Sequence, residues 1–150
     1  MKGRKYIGSP VKYYFEDTGL RNARVNFRQV EETHLMENVI YNELRYRGFR
    51  VDVGSVPVRT AANGGGKSRS QLEIDFVANR GYRRYYIQSA LTISDESKAE
   101  QEKASLLCVR DSFKKIILVK DIINKTCDEN GIILMNLYDF LLDENSLESD

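Results

Sequence analysis

The chain of 150 residues has no tryptophan, one histidine, two cysteines and two prolines. Each scarcity excludes something. A single histidine, His34, excludes metal centres built on several imidazoles, and it reads as a surface or helix-packing residue. Cys108 and Cys127 are too few for a disulfide framework and lack zinc-site spacing, so free thiols in a cytoplasmic setting are expected. No apolar run approaches the roughly 20 residues needed to cross a bilayer, so no membrane partner is expected. The start, Met1-Lys2-Gly3-Arg4-Lys5, is basic with no apolar segment behind it and does not read as a secretory signal.

What is present is ordinary for one globular domain: 41% hydrophobic and 30% charged residues, enough for a single core. A net charge of +1 hides a polarity along the chain. Residues 1–28 form a basic N-terminal segment in which seven cations face only Glu16 and Asp17. Residues 121–150 carry eight acids against Lys125 alone and end in an acidic tail, 143–150, expected to fray. A solvated surface explains this polarity, as does a basic face that meets phosphate or an acidic partner.

The region between, 29–142, reads as the core of one domain. Met36, Val39, Ile40 and Leu44 recur at helical spacing within Gln29–Arg47, and Gly48 stands where a left-handed terminating residue belongs. Phe49–Val58 alternates and is β-branched, the pattern of a strand. Residues 59–70 (RTAANGGGKSRS) read as a basic Gly/Ser loop. Leu72–Ala78 and Tyr85–Leu91 are two further strands around the turn Asn79-Arg80-Gly81-Tyr82. Ser94 caps a helix running to about Val109 that is expected to bury Ala99, Leu106, Leu107 and Cys108. Lys115–Lys120 is a short apolar strand of the kind covered on both faces, and Gly131–Asn136 is a last strand before a helical turn at Tyr138–Leu142. Val11–Val25 reads as a strand or turn followed by an irregular segment. The order α-β-β-β-α-β predicts an α/β fold, a mixed sheet flanked by helices on both faces.

Cleaving a phosphodiester with Mg²⁺ needs two or three carboxylates for the ion and a cation, usually lysine, to offset charge in the transition state. Asp75 lies between Ile74 and Phe76, where a charge needs a partner or ligand, and Glu73 shares its face. On the preceding helix, angular position favours Glu43 as the acid nearest the apolar stripe, with Arg47 one turn on as its ion partner, while Glu37 lies on the flank. On the next strand Gln88 offers a neutral amide oxygen, Ser89 follows, and Ala90 offers nothing reactive. Arg59, Lys67, Arg69, Arg83 and Arg84 are the basic residues placed to meet nucleic acid, and the adjoining tyrosines could stack on bases or simply pack. Gly64-Gly65-Gly66-Lys67-Ser68 imitates the end of a phosphate-binding loop. However, Ala61 stands where its first glycine belongs and a strand follows where a helix is required, so no ATP site is expected.

Four ordered motifs carry a resemblance. They are Lys12-Tyr13-Tyr14-Phe15-Glu16-Asp17-Thr18-Gly19-Leu20-Arg21-Asn22-Ala23, Leu35-Met36-Glu37-Asn38-Val39 with Glu43-Leu44, Glu73-Ile74-Asp75-Phe76-Val77-Ala78, and Tyr86-Ile87-Gln88. Together they resemble the C-terminal domain of unknown function that follows the ATPase module in prokaryotic AAA-type ATP-binding proteins. The resemblance implies a restriction-endonuclease-like fold of the PD-(D/E)xK superfamily and makes the chain a C-terminal piece of a longer ATPase, with that ATPase module and DNA as partners. It places the helix acid at Glu37, the strand acid at Asp75, the triplet acid at Gln88 and the triplet lysine at Ala90. Glu37 and Asp75 would then be the Mg²⁺ ligands. Glutamine at the triplet acid is usual in this group, whereas alanine at the lysine position departs from the superfamily pattern. The expectation is a degenerate nuclease module that binds DNA or a protein. Its alternatives are an active Mg²⁺-dependent endonuclease, with Lys98 or Lys103 supplying the lost cation, and an interaction domain that regulates the ATPase without nucleic acid.

Overall fold

The computed structural model describes residues 12–27, 31–61, 67–93, 96–121 and 123–148. The elements run α1 (Thr18–Arg24), α2 (Glu32–Tyr46), β1 (Arg50–Ala61), β2 (Lys67–Arg80), β3 (Arg83–Ala90), α3 (Glu96–Leu107), β4 (Lys114–Val119), β5 (Thr126–Cys127), β6 (Ile132–Asn136) and α4 (Leu137–Leu142). The fold is α/β, with the expected α-β-β-β-α-β order at its centre. Six strands form one mixed sheet in the order β1-β2-β3-β4-β6-β5. The first three are joined antiparallel, whereas β4 lies parallel to both β3 and β6. No helix among the described residues is long and apolar enough to cross a membrane.

Helices α2 and α4 cover one face and α3 the other, because these three bring apolar side chains to the sheet. Met36, Ile40 and Leu44 of α2 are buried with Leu137 and Phe140 of α4 against Phe76, Ile87, Ile116 and Leu118. On the other face Leu106 of α3 packs with Ile74, Tyr86, Ala90, Ile117, Val119 and Ile132. Strand β4 feeds both layers, which is why Ile116–Val119 is an uninterrupted apolar run. Gly48 takes the left-handed conformation that ends α2, with φ +81°.

Several expectations need correction. The loop expected over 59–70 is mostly sheet: Arg59 pairs with Arg69, Thr60 with Ser68 and Ala61 with Lys67, while 62–66 lie outside the described residues. The chain after Lys67 is strand, as the argument against a phosphate-binding loop requires. The segment read as irregular contains α1, started by Asp17, whose carboxylate accepts the Leu20 N–H at 3.0 Å. Strand β5, two residues long, lies between the expected strands at 115–120 and 131–136. Leu107 is exposed, turned about 100° from fully buried Leu106, and Ala99 and Cys108 are half-buried. The Ser94 cap lies outside the described residues.

The acidic tail does not fray, at least as far as Glu148. Ser146 and Leu147 are buried. The reason is Arg47, a buried guanidinium that needs acceptors. It donates to Glu43 Oε1 (2.8 Å), Ser146 Oγ (3.0 Å), and the carbonyls of Glu144 (3.1 Å) and Phe140. Glu148 in turn pairs with Arg80 (3.1 Å) and with Arg83.

Candidate functional site

The site begins with a β-bulge. Between β1 and β2 the register slips: Asp52 faces Val77, but Gly54 faces Ile74, leaving one extra residue on β2. Such an insertion re-aims the side chains beside it. Ile74 therefore points to the α3 layer, while Phe76 points to the α2 layer. Gly54 permits this, since a Cβ there would lie 2.9 Å from both Ile74 Cβ and Val77 Cγ2.

Asp75 sits in the bulge and is 7% exposed. Its Oδ2 accepts the Ser89 N–H (2.9 Å) and the Ser89 hydroxyl (2.7 Å) from β3. Its Oδ1 faces Lys12 at 3.4 Å. The same ammonium lies 3.1 Å from Glu37 Oε2 on α2 and 2.6 Å from Glu73 Oε1 on β2. Three carboxylates from two elements thus converge on one cation. Burial pushes the Lys12 pKa down, but the hydrogen bond to Glu73, the charge of Asp75 and the contact with Glu37 outweigh it. The net displacement is upward and Lys12 is charged at any physiological pH.

Lys12 is delivered by a strap, residues 12–17, bound along α2. Tyr14 stacks on Tyr41 with ring centroids 4.2 Å apart and leans against Phe76. Asn38, buried, accepts the Phe15 N–H (2.8 Å) and donates to the Phe15 carbonyl (2.7 Å), as a neighbouring strand would. Asn42, one turn later, donates to the same carbonyl at 2.8 Å. Burial, more than offsetting the nearby Lys12 charge, raises the Tyr14 pKa, helped by the three carboxylates. A cleft of about 360 Å³ opens beside Lys12 and Glu37, lined also by Tyr13, Arg21 and His34.

Gln88 serves a different set of partners. Its Oε1 accepts from Ser105 Oγ and from the Asp75 backbone N–H, both at 3.4 Å, and its amide bonds Glu102 on α3. Glu102 has a raised pKa, first from burial and second from the charge of Asp75, with the Gln88 bond and Lys98 acting against it. Ala90 is buried among Leu106, Val119 and Ile132.

The structure brings Glu37 and Asp75 against the same Lys12 ammonium. Glu43 pairs with Arg47 instead. Of the two expected replacement cations, Lys103 pairs with Asp128 at 2.7 Å and Lys98 lies by Glu102. Among the described residues, the cation that reaches the acids is Lys12. Arg83 is held by Glu148, while Arg84 donates to Asn79 at 2.8 Å and lies over Phe113. The side chains of Arg59, Lys67 and Arg69 lie outside the described set. Exposed His34 approaches Glu31 at 3.3 Å. Cys108 and Cys127 are free thiols.

Among the described residues, no three His, Cys, Asp and Glu side chains are grouped to hold a metal ion. In this arrangement the acids do not fit a directly ligated Mg²⁺, because oxygen ligands at about 2.0–2.1 Å need the space that the Lys12 ammonium fills.

Neither a family model nor a solved structure matches the chain. A Haemophilus influenzae protein described as uncharacterized is 28% identical over 142 residues, 95% of this chain and 31% of the relative. The chain therefore spans about a third of that relative's length.

Proposed function

We propose that the chain is a nuclease-fold module of an AAA-type ATPase, restriction-endonuclease-like in its sheet, that acts by binding and not by hydrolysis. One observation carries this reading. The acids Glu37, Glu73 and Asp75 already share Lys12 as a counter-ion, while position 90 contributes only a buried methyl group. The longer relative, of which this chain matches 31%, is consistent with a module attached to further sequence.

Exposed apolar residues on and around α1 favour a protein surface over DNA as the partner. Among the described residues nothing covers Leu20 (70% exposed) or Phe27 (74%), and α1 buries none of its residues. The arginines of the β2–β3 hairpin favour the same answer, since their charges are engaged within the chain.

The test is incubation of plasmid and branched DNA with Mg²⁺ or Mn²⁺, comparing wild type with Asp75→Ala. No metal-dependent cutting is expected from either. A second reading has its own support: Lys12, 3.4 Å from Asp75, could supply the cation that position 90 lacks in an active nuclease. Cutting by wild type that is lost in both Asp75→Ala and Lys12→Gln would establish that reading and overturn the first.

A further inference from the structure

Resting on the nuclease-fold reading for the ancestry of the site, we propose that Lys12 is a built-in counter-ion holding the place of a divalent cation. The chain closes its own metal site, and removal of the ammonium opens that site to Mn²⁺ or Mg²⁺.

Charge is the first ground. Among the described residues, Glu37, Glu73 and Asp75 surround a single ammonium, three formal negative charges against one positive. A lysine compensates one of the three charges, whereas a divalent ion would compensate two. Asp75 and Glu37 are also well shielded, with 10% and 16% of their side chains exposed, so water and salt cannot substitute fully for a cation. Without Lys12 these acids repel one another at close range.

Geometry is the second ground. The oxygens lie 2.6, 3.1 and 3.4 Å from the nitrogen, the spacing of ammonium hydrogen bonds and not of metal–oxygen bonds. A divalent ion in the place of the ammonium would need shorter contacts, so the carboxylates would have to close in once the ammonium has left.

Attachment is the third. Lys12 is two residues from the Tyr14–Tyr41 stack and three from the Asn38 clamp on Phe15. A cation on so short a tether has an effective concentration in the millimolar range or above. That suffices to exclude a weakly held free ion.

The experiment uses the full 150-residue chain with Mn²⁺ as probe, read by thermal unfolding and by titration calorimetry. Wild type should show the same midpoint in EDTA and in millimolar Mn²⁺. Lys12→Gln should unfold earlier in EDTA and recover with Mn²⁺, by about 5–10 °C once the ion is ~100-fold above its dissociation constant. Lys12→Gln/Asp75→Asn should lose that recovery, and Lys12→Arg should behave as wild type. If Lys12→Gln is unfolded with and without Mn²⁺, the pair Asn38→Ala/Asn42→Ala decides. It keeps every charge but loosens the strap, and it should gain an Asp75-dependent Mn²⁺ response. Two results would overturn the proposal: wild type binding Mn²⁺ through Asp75 as tightly as Lys12→Gln, or a folded Lys12→Gln indifferent to the ion. Either failure without DNA cleavage leaves the binding reading intact, and cleavage by wild type refutes that reading separately.

Discussion

Replacing Arg47 by methionine should lower stability by about 3 kcal/mol. The guanidinium is 4% exposed and donates to four acceptors that come together only in the folded chain: Glu43, Phe140, Glu144 and Ser146. Removing one partner of a buried ion pair costs about 3–5 kcal/mol, because the other charge is left unpaired. Here the stranded partner, Glu43, keeps 22% of its side-chain surface, which places the cost at the low end. For a chain of this size, about 3 kcal/mol corresponds to a fall of about 6–12 °C in the unfolding midpoint. Methionine preserves most of the volume, so the loss reports polar partners and not a cavity. Chemical denaturation of wild type, Arg47→Met, Glu43→Leu and the double variant forms the assay. The double variant should regain about 1–2 kcal/mol relative to Arg47→Met, because no carboxylate is then stranded. A loss below about 1 kcal/mol, the range of a surface pair, would refute the claim that Arg47 anchors the C-terminal turn.

Gly54→Ala should destabilise by about 1–3 kcal/mol in urea melts, because its Cβ would press on Ile74 and Val77 across the bulge. Asn38→Ala removes two bonds to the Phe15 backbone and should cost about 1–3 kcal/mol, with faster amide exchange at Phe15 as the local readout. Glu102 gives a pH signature. Its folded pKa is raised above the ordinary 4.5, so its contribution is full below 4.5 and is lost as pH climbs through the raised value. Glu102→Gln, fixed in the neutral form, should therefore gain on wild type as pH rises above 4.5. A difference that is flat between about pH 4 and about pH 8 would exclude this.

Much of the sheet was legible because the strands obey simple periodicities. The alternation in β1, the tyrosine-flanked β3 and the apolar run of β4 each follow from which faces are covered. Asp75 was legible as a charge in an apolar strand. The bulge that aims it was not, since the slip arises from pairing with β1 and leaves only Gly54 as a trace. Helical angle favoured Glu43 over Glu37 as the acid nearest the apolar stripe. The pairing of Glu43 with Arg47 followed correctly from their spacing, whereas the place of Glu37 depends on a strap that no helical pattern encodes. Lys12 was missed because its segment has no periodicity; Asn38 and Asn42 hold it through backbone bonds indifferent to side-chain pattern. Glu102 left a usable signal: it stands four positions before Leu106, on the covered side of α3. The docked tail was misread because charge counted for more than Ser146 and Leu147, whose burial depends on Arg47, 99 positions from Ser146.

The strap also makes the site a mechanical joint. Lys12 and Asp75 are separated by 63 positions, and among the described residues ion pairs, the Tyr14 ring contacts and two asparagine side chains fasten residues 12–15 to α2 and the acids. A displacement of residues 12–15 along α2 would load these ion pairs and side-chain bonds first and the sheet last. The ion pairs would part before any strand slipped, so tension would change the charge of the site while leaving its scaffold standing.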